Sequence, residues 1–258
     1  MAVVFTFVFF STILPLATLT LASFMQIYGL FGEGFSWFTL RHYQALLSNA
    51  KLPLALTNTV ILAAVGAALT MLLTTLISYV VMRTRRPGRG LLDLITWLPV
   101  TVPGIVLAVG MIWAYVGLVR LPFPFYGTIW ILVLAVSIAA LPTGARIMNG
   151  TMVQIGQELE ESARVHGASF PFTMRRVFVP LLTPAMLSGW LVLFAFAMKN
   201  FVTVSLLYAP QSIVLSALQF ELWNGGQAEE AAALGTINML FSLVLVFAYL
   251  LVVRRHAE

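Results

Sequence analysis

The chain has 258 residues, of which 60% are hydrophobic and only 9% are charged, and its formal net charge is +5. Its mean hydropathy is +0.98. A soluble domain carries about 25% charged residues, so this chain has too few charges to cover a water-exposed surface. The sequence has no cysteine, which excludes disulfide frameworks, thiolate metal sites and cysteine nucleophiles. Composition therefore predicts a protein that crosses the membrane several times.

Uncharged runs long enough to cross a bilayer divide the chain into six predicted helices. A transmembrane helix needs about 20 mostly apolar residues, and the gaps between charged residues provide them. The predicted spans are residues 3–27, 54–82, 94–118, 126–145, 181–207 and 231–253. The first ten residues contain no Lys or Arg, unlike the start of a cleaved signal peptide, so we expect the first helix to be retained. The predicted fold is all-α, in a single transmembrane domain.

Basic residues concentrate on one side of this arrangement. The turn after span two carries four, the 146–180 loop carries four more and the tail carries two. The opposite side carries three, which are Arg41, Lys51 and Arg120. Because cytoplasmic loops hold the excess of Lys and Arg, both termini are predicted to face the cytoplasm. The positive net charge is thus assigned to membrane topology, and nucleic-acid binding is not expected.

The long cytoplasmic loop at residues 146–180, between spans four and five, has a helical pattern of its own. Four residues recur at three- and four-residue spacing on one predicted face: Ile155, Leu159, Ala163 and His166. Glu160 and Arg164 form a favourable i,i+4 pair. Gly167 is expected to end this helix, and Pro180 to end a second short helix before span five. By composition alone, the loop is equally compatible with an amphipathic linker lying on lipid headgroups.

The spacing within this loop resembles the EAA motif of permease subunits of ATP-binding-cassette (ABC) importers. That motif reads Glu-Ala-Ala, three residues, Gly, nine residues, Ile, one residue, Leu-Pro. Four residues match it by identity, two match by type, and one replaces the middle Ala: Glu161, Ala163, Gly167 and Pro180; Val177 and Val179; Ser162. Segments 38–43, 57–59, 98–104 and 215–235 are similar to the same family. Within it the chain looks most similar to the ferric iron permeases, and more loosely to those for polyamines and aminoethylphosphonate.

The resemblance implies that the loop is a coupling helix seated on a separate cytosolic ATPase. The implied coupling residues are Glu160, Glu161, Ala163, Arg164, Gly167 and Pro180. Glu161 would engage the ATPase, Ala163 would permit close approach and Gly167 would set the bend. The implied assembly contains two ATPase subunits, a second permease copy or paralogue, and an extracytoplasmic solute-binding protein, in a bacterial or archaeal plasma membrane.

The chain itself has no recognisable site for nucleotide hydrolysis. Its two lysines, Lys51 and Lys199, do not follow a glycine, as the lysine of a phosphate-binding loop does. ATP is therefore expected to be hydrolysed by the partner, and this chain is expected to carry no catalytic residue and no bound cofactor. The histidines lie far apart in the sequence, at His42, His166 and His256, so no metal site is predicted.

Six residues are candidates for the translocation pathway: Asn58, Thr59, Pro103, Gly104, Lys199 and Asn200. Lys199 is the only charge placed inside a predicted span, and such a charge marks a functional site by default; the alternative is a side chain that reaches the outer interface. Lys199 with Asn200 would attract an anionic solute or an anion-complexed metal. Proline interrupts span three. The interruption is equally compatible with a segment that lines the pathway and with one that only packs against its neighbours. Asn58 and Thr59 suit interhelical hydrogen bonds or solute contact.

Two other classes of protein fit the sequence less well than an importer. A secondary transporter would be expected to place ionisable groups inside its spans for ion coupling, and only Lys199 fits. A non-transporting scaffold would have no use for a coupling-type loop. The predicted function is the permease subunit of an ABC importer, for ferric iron, with a phosphonate or a polyamine as alternative solutes.

Overall fold

The computed structural model describes residues 1–27, 29, 37–118 and 125–255. Arg120, which entered the orientation argument, lies outside the described residues. Within them the secondary structure is helical, apart from an isolated antiparallel bridge between Met25 and Phe38. The all-α class predicted from the sequence is confirmed.

Thirteen α-helices are named here in chain order among the described residues. They are α1 (Ala2–Val8), α2 (Leu14–Phe24), α3 (Arg41–Ser48), α4 (Leu52–Arg83), α5 (Arg89–Thr101), α6 (Gly104–Ile112), α7 (Ile129–Gln154), α8 (Gln157–Val165), α9 (Phe170–Thr173), α10 (Val179–Met198), α11 (Phe201–Val204), α12 (Leu215–Asn224) and α13 (Ala228–Arg255). Shorter turns complete the helical structure: π-helical Phe9–Ile13, Trp113–Leu118 and Met174–Phe178, and 3₁₀-helical Pro210–Ser212.

Five described segments are long and apolar enough to cross a membrane, and a sixth crossing requires α5 and α6 to count as one span. The five are Val3–Phe24, Leu52–Arg83, Ile129–Gln154, Met174–Met198 and Ala228–Leu245. The predicted single span at 94–118 is instead a pair of helices bent by 109°. Val102 is extended, with φ −100° and ψ 119°, because a residue that precedes proline avoids the helical region. The chain therefore leaves one helix at Val102 and begins the next after Pro103.

The predicted fifth span also differs from the observed helix. α10 ends at Met198, whereas the apolar run continues to Leu207. Asn200 Oδ1 accepts a hydrogen bond from the Thr203 N–H at 3.2 Å and caps α11. Asn side chains favour such caps over helix interiors, so the helix stops although the hydropathy continues. Lys199 therefore follows the end of a helix and does not lie inside one.

The first compact unit comprises Met1–Thr59 and Ser212–Glu258. In it, α13 packs against α2, α3 and α12. A Cβ added at Gly235 would lie 2.7 Å from the Gln219 side-chain nitrogen and 3.3 Å from Leu19. Helix association in lipid depends on this kind of close approach, so the small residue fits α13 between α2 and α12.

The second unit, Val60–Gln211, is built around α7, which contacts α5, α6, α10 and α11. Gly144 on α7 faces α4, where an added Cβ would lie 2.8 Å from Thr74 Oγ1. Two turns earlier on α7, the Ser137 hydroxyl donates to the Gly66 carbonyl oxygen of α4 at 3.2 Å. Small residues and hydroxyl hydrogen bonds thus hold the middle of α4 against α7.

Candidate coupling loop and translocation cavity

The segment between α7 and α10 forms two short helices joined at a glycine, in the predicted order. α7 ends at Gln154, α8 covers Gln157–Val165 and α9 covers Phe170–Thr173. Gly167 lies between them with a φ of +77°, a conformation that residues with a Cβ adopt at a cost. A Cβ at this position would meet nothing within 4 Å. The turn therefore requires glycine for its backbone conformation and not for lack of space.

The predicted coupling residues Glu160, Glu161, Ala163 and Arg164 all lie in α8. Glu161 is exposed, while the side chains of the other three lie outside the described part. α8 also exposes the apolar side chain of Val165, at 85% of its full area. The helix thus presents both an acidic and an apolar side chain at its surface, where a partner chain could contact them.

Pro180, the last predicted coupling residue, lies in the first turn of α10. The expectation that it ends a separate helix was wrong, because α9, Met174–Phe178 and α10 follow one another without a break. The Val179 N–H donates to the Met174 carbonyl oxygen, as in a π-helix. Proline is tolerated inside a membrane helix where a local π-helical adjustment satisfies the freed backbone groups, and the π-helical turn Met174–Phe178 directly precedes α10. The loop is thus rigidly continuous with the span that follows it.

The last turn of α4 holds both ends of this loop. Arg83 Nη2 donates to the Met152 carbonyl oxygen at 2.5 Å and also to the Ile155 carbonyl oxygen, at the end of α7. The Arg83 guanidinium lies 5.5 Å from the ring centroid of Phe178, just before α10. The Tyr79 ring meets the Phe178 ring edge-on, with centroids 5.6 Å apart. Sequence reasoning missed this role, since it counted Arg83 only as a topology charge.

A cavity of ≈ 490 Å³ lies where the break between α5 and α6 meets the break between α10 and α11. Its polar lining comes from the second break: Lys199, Asn200 and Thr203. Lys199 is the only charged residue among the described residues that line it. Within the described part of the chain, its exposed ammonium forms no ion pair or hydrogen bond. The cavity therefore has room for a small solute beside one cation.

Three of the predicted pathway residues line this cavity, namely Gly104, Lys199 and Asn200. Pro103 lies between two lining residues, Val102 and Gly104, and fixes the break that opens the cavity. Sequence reasoning missed the contributions of the α11 residues, because hydropathy placed them in an uninterrupted span.

Asn58 and Thr59 belong to the first unit and brace a different segment. Asn58 Nδ2 donates to the Ile213 carbonyl oxygen at 2.9 Å, and the Leu215 N–H donates to Thr59 Oγ1 at 2.8 Å. Both side chains are buried, at 6% and 1% exposure. These bonds attach α4 to the start of α12, in keeping with the hydrogen-bonding alternative considered for them.

Comparison with known proteins identifies the family. The model of the family described as "Binding-protein-dependent transport system inner membrane component" matches residues 71–257, a range that includes α8 and the cavity. The chain belongs to this family. The membership that the EAA-like spacing predicted is thereby confirmed, and the chain is a multi-pass inner-membrane subunit of an ABC transporter.

The relatives within the family are named for different solutes. The spermidine/putrescine transport system permease protein PotC of Haemophilus influenzae is 28% identical over 244 residues, which cover 94% of this chain and 92% of PotC. The ferric transport system permease protein FbpB of Actinobacillus pleuropneumoniae is 29% identical over 215 residues, which cover 82% of this chain and 31% of FbpB. Family membership therefore identifies an importer permease and leaves the polyamine and the ferric interpretations both open.

Solved structures share the fold at low sequence identity. A chain of a bacterial alginate ABC transporter, solved in complex with a periplasmic protein that holds an alginate pentasaccharide, aligns with a TM-score of 0.76 at 19% identity, covering 99% of this chain and 92% of that chain. A chain of the MetNI methionine ABC transporter in an inward-facing conformation aligns with a TM-score of 0.60 at 17% identity, covering 87% of this chain and 99% of that chain.

Proposed function

We propose that this chain lines the translocation pathway of an ABC importer and couples it through α8 to a cytosolic ATPase, which hydrolyses the ATP. The complete assembly would hold two ATPase subunits, a second permease copy or paralogue and an extracytoplasmic binding protein. Both termini of this chain would face the cytoplasm. The observation that carries the proposal is the exposed helix α8, which is joined to α7 through Ile155 and Gly156 and to the helical path into α10 through the turn at Gly167.

The support for coupling is mechanical. Only Ile155 and Gly156 separate α7 from α8, and the helical path from Phe170 to Met198 is unbroken. A force applied to α8 by a closing ATPase would therefore reach two membrane helices through short, structured connections. A long flexible loop would absorb the same displacement without moving the spans.

The coupling proposal is tested with two acidic residues of α8, both of which are exposed. Glu161→Gln removes the charge that the motif assigns to the ATPase contact, and Glu158→Gln is the matched control on the same helix. The assay measures ATPase activity of the reconstituted transporter with and without its loaded binding protein. We expect Glu161→Gln to lower the stimulated rate about tenfold, the size expected for one lost charge-assisted hydrogen bond, and Glu158→Gln to stay near wild type. Equal rates in the two variants would overturn the role given to α8.

We infer further that the solute is an anion, or a metal carried in an anionic complex. The support is the sign of the charge at the cavity, where Lys199 has no acidic counterpart among the described lining residues. An ammonium at the cavity attracts anions and repels cations. Ferric iron complexed by an anion, or a phosphonate, agrees with that charge, whereas a polyamine does not. Among the named relatives, the ferric permeases thus offer the better guide to the solute.

A further inference from the structure

We propose that Arg83 is a positioning residue that ties the coupling loop to the cytoplasmic end of α4, so that a displacement of α8 moves α4 together with α7 and α10. This inference rests on the proposed coupling role of α8. α7 and α10 are joined to the loop by the polypeptide itself. α4 is remote in sequence, and among the described residues Arg83 and Tyr79 at this end of the helix contact the loop.

The first half of the tie is a cap on the end of α7. The last carbonyl groups of an α-helix lack intrahelical partners, and a cation near them is favoured by the helix dipole. Arg83 donates to two such oxygens, those of Met152 and Ile155. Ile155 is the C-cap residue of α7, only two positions before α8 begins. The guanidinium thus fixes the point at which the chain turns from the span into the coupling helix.

The second half is a contact with the other end of the loop. Phe178 is 1% exposed and lies in the π-helical turn that leads into α10. The Arg83 guanidinium lies over its ring, an arrangement stabilised by attraction between the cation and the ring face. One planar side chain therefore touches residues before α8 and a residue after α9, which the flexible side chain of a lysine would do less rigidly.

Neighbouring arginines provide the contrast. Arg85 and Arg86 lie in the same basic turn and are exposed, as expected of charges that only set membrane orientation. Arg83 is partly buried and has three structural contacts. Substitutions of Arg83 and Arg85 therefore remove the same charge at two nearby positions, of which only the first makes these contacts.

The proposal is tested by hydrogen exchange measured by mass spectrometry on the full chain in lipid nanodiscs. Arg83→Met keeps the length and apolar body of the side chain but removes its donors, Arg83→Lys keeps the charge, and Arg85→Met is the matched control. We expect amides of residues 152–165 to exchange about tenfold faster in Arg83→Met, as for the loss of a charged hydrogen bond. In Arg83→Lys the exchange rate should lie between those of wild type and Arg83→Met, and in Arg85→Met it should match wild type. Unchanged exchange in Arg83→Met would overturn the tie.

A second readout separates positioning from simple stability. In the reconstituted transporter, Arg83→Met should lower the amount of solute taken up per ATP hydrolysed, with ATPase subunits still bound, and Arg83→Lys should restore most of it. Wild-type coupling in a chain whose loop exchanges faster would overturn the transmission role.

If Arg83→Met does not fold, Phe178→Leu provides a second test, because it keeps an apolar side chain at the buried position. It should accelerate exchange at residues 174–178, and unchanged exchange there would contradict the proposal. Hydrogen exchange is measured without the ATPase, so it tests the tie alone. Failure of the proposed coupling function would show separately, as a wild-type chain that binds no ATPase.

Discussion

Lys199 is the residue from which an anionic solute is proposed, and the chain offers its own control. It has a second lysine, Lys51, whose ammonium pairs with Glu221 at 2.5 Å in the other unit. Lys199→Gln should lower uptake of an anionic probe about tenfold, because a charge that attracts the solute is removed from the cavity. Lys199→Arg should retain uptake. Lys51→Gln should leave it near wild type, since exposed ion pairs contribute little.

The measurement is uptake by cells that express the complete importer, with labelled ferric citrate, 2-aminoethylphosphonate and spermidine as separate probes. Uptake of one of the first two, lost in Lys199→Gln, is the expected result. Uptake of spermidine that is unchanged or raised in Lys199→Gln would contradict the anionic assignment and favour the polyamine interpretation.

The role of a single residue could be predicted from the sequence where that role follows from its backbone conformation. Gly167 could be assigned to a turn because a glycine after a helical pattern is the usual left-handed terminator, and its φ of +77° agrees. Arg83 could not be distinguished from Arg85, because its partners are carbonyl groups and an aromatic ring that are distant in sequence. Pro180 was misjudged, since proline usually ends a helix but is accepted in a membrane helix beside a π-helical turn.

At the scale of helices, α6 and α11 pack closely enough to be tested by adding one methyl group. A Cβ at Gly104 would lie 2.9 Å from Thr203 Oγ1 and 3.2 Å from Val202 Cγ1. Gly104→Ala should therefore destabilise the protein by about 1–3 kcal/mol, as overpacking does. Gly110, also on α6, has nothing within 4 Å of an added Cβ, so Gly110→Ala should be neutral or stabilising by up to about 1 kcal/mol.

Thermal unfolding in detergent, followed by intrinsic fluorescence, gives the comparison directly. Gly104→Ala should have the lower midpoint of the two. Equal midpoints would mean that α6 and α11 can separate at no cost, and the cavity beside them would then not be a fixed feature.

Helices were predictable from the sequence where hydropathy and backbone preference agree. α4 extends over Leu52–Arg83, close to the predicted 54–82, because charges bound an uninterrupted apolar run on both sides. The two breaks were not predictable from hydropathy. At Val102 and at Asn200 the composition remains apolar or nearly so, while a residue before proline and a capping asparagine end the helices. Those breaks are the features that create the cavity.

For the whole molecule, the charge asymmetry predicts which side of the membrane each turn faces. The chain has no cysteine, so a single introduced cysteine reports its own position without a background. Asn224→Cys, at the exposed last residue of α12, should react with a membrane-impermeant maleimide in intact spheroplasts. Arg86→Cys, exposed after α4, should react only after the membrane is permeabilised, because arginine-rich turns remain in the cytoplasm. The reverse pattern would contradict the orientation.

Fold class and family were both accessible at this scale, for a physical reason. A chain in lipid must satisfy its backbone internally, so an apolar composition without alternating polarity already specifies helices. The EAA-like spacing then predicted the family, because its residues are close enough in sequence to be recognised as one pattern. The association of distant segments, such as Asn58 with Ile213, depends on packing that a single sequence does not display.

The 109° bend between α5 and α6 also bears on how the protein is made. α5 has 13 residues and the arm Gly104–Gly117 continues after the bend, so each arm is about 20 Å long at 1.5 Å per residue, against a hydrocarbon thickness of about 30 Å. Neither arm can leave the translocon as an independent membrane crossing. Both contact α7, and α6 also contacts α11, helices that are synthesised later. We therefore expect stable insertion of this segment to depend on helices that are synthesised after it.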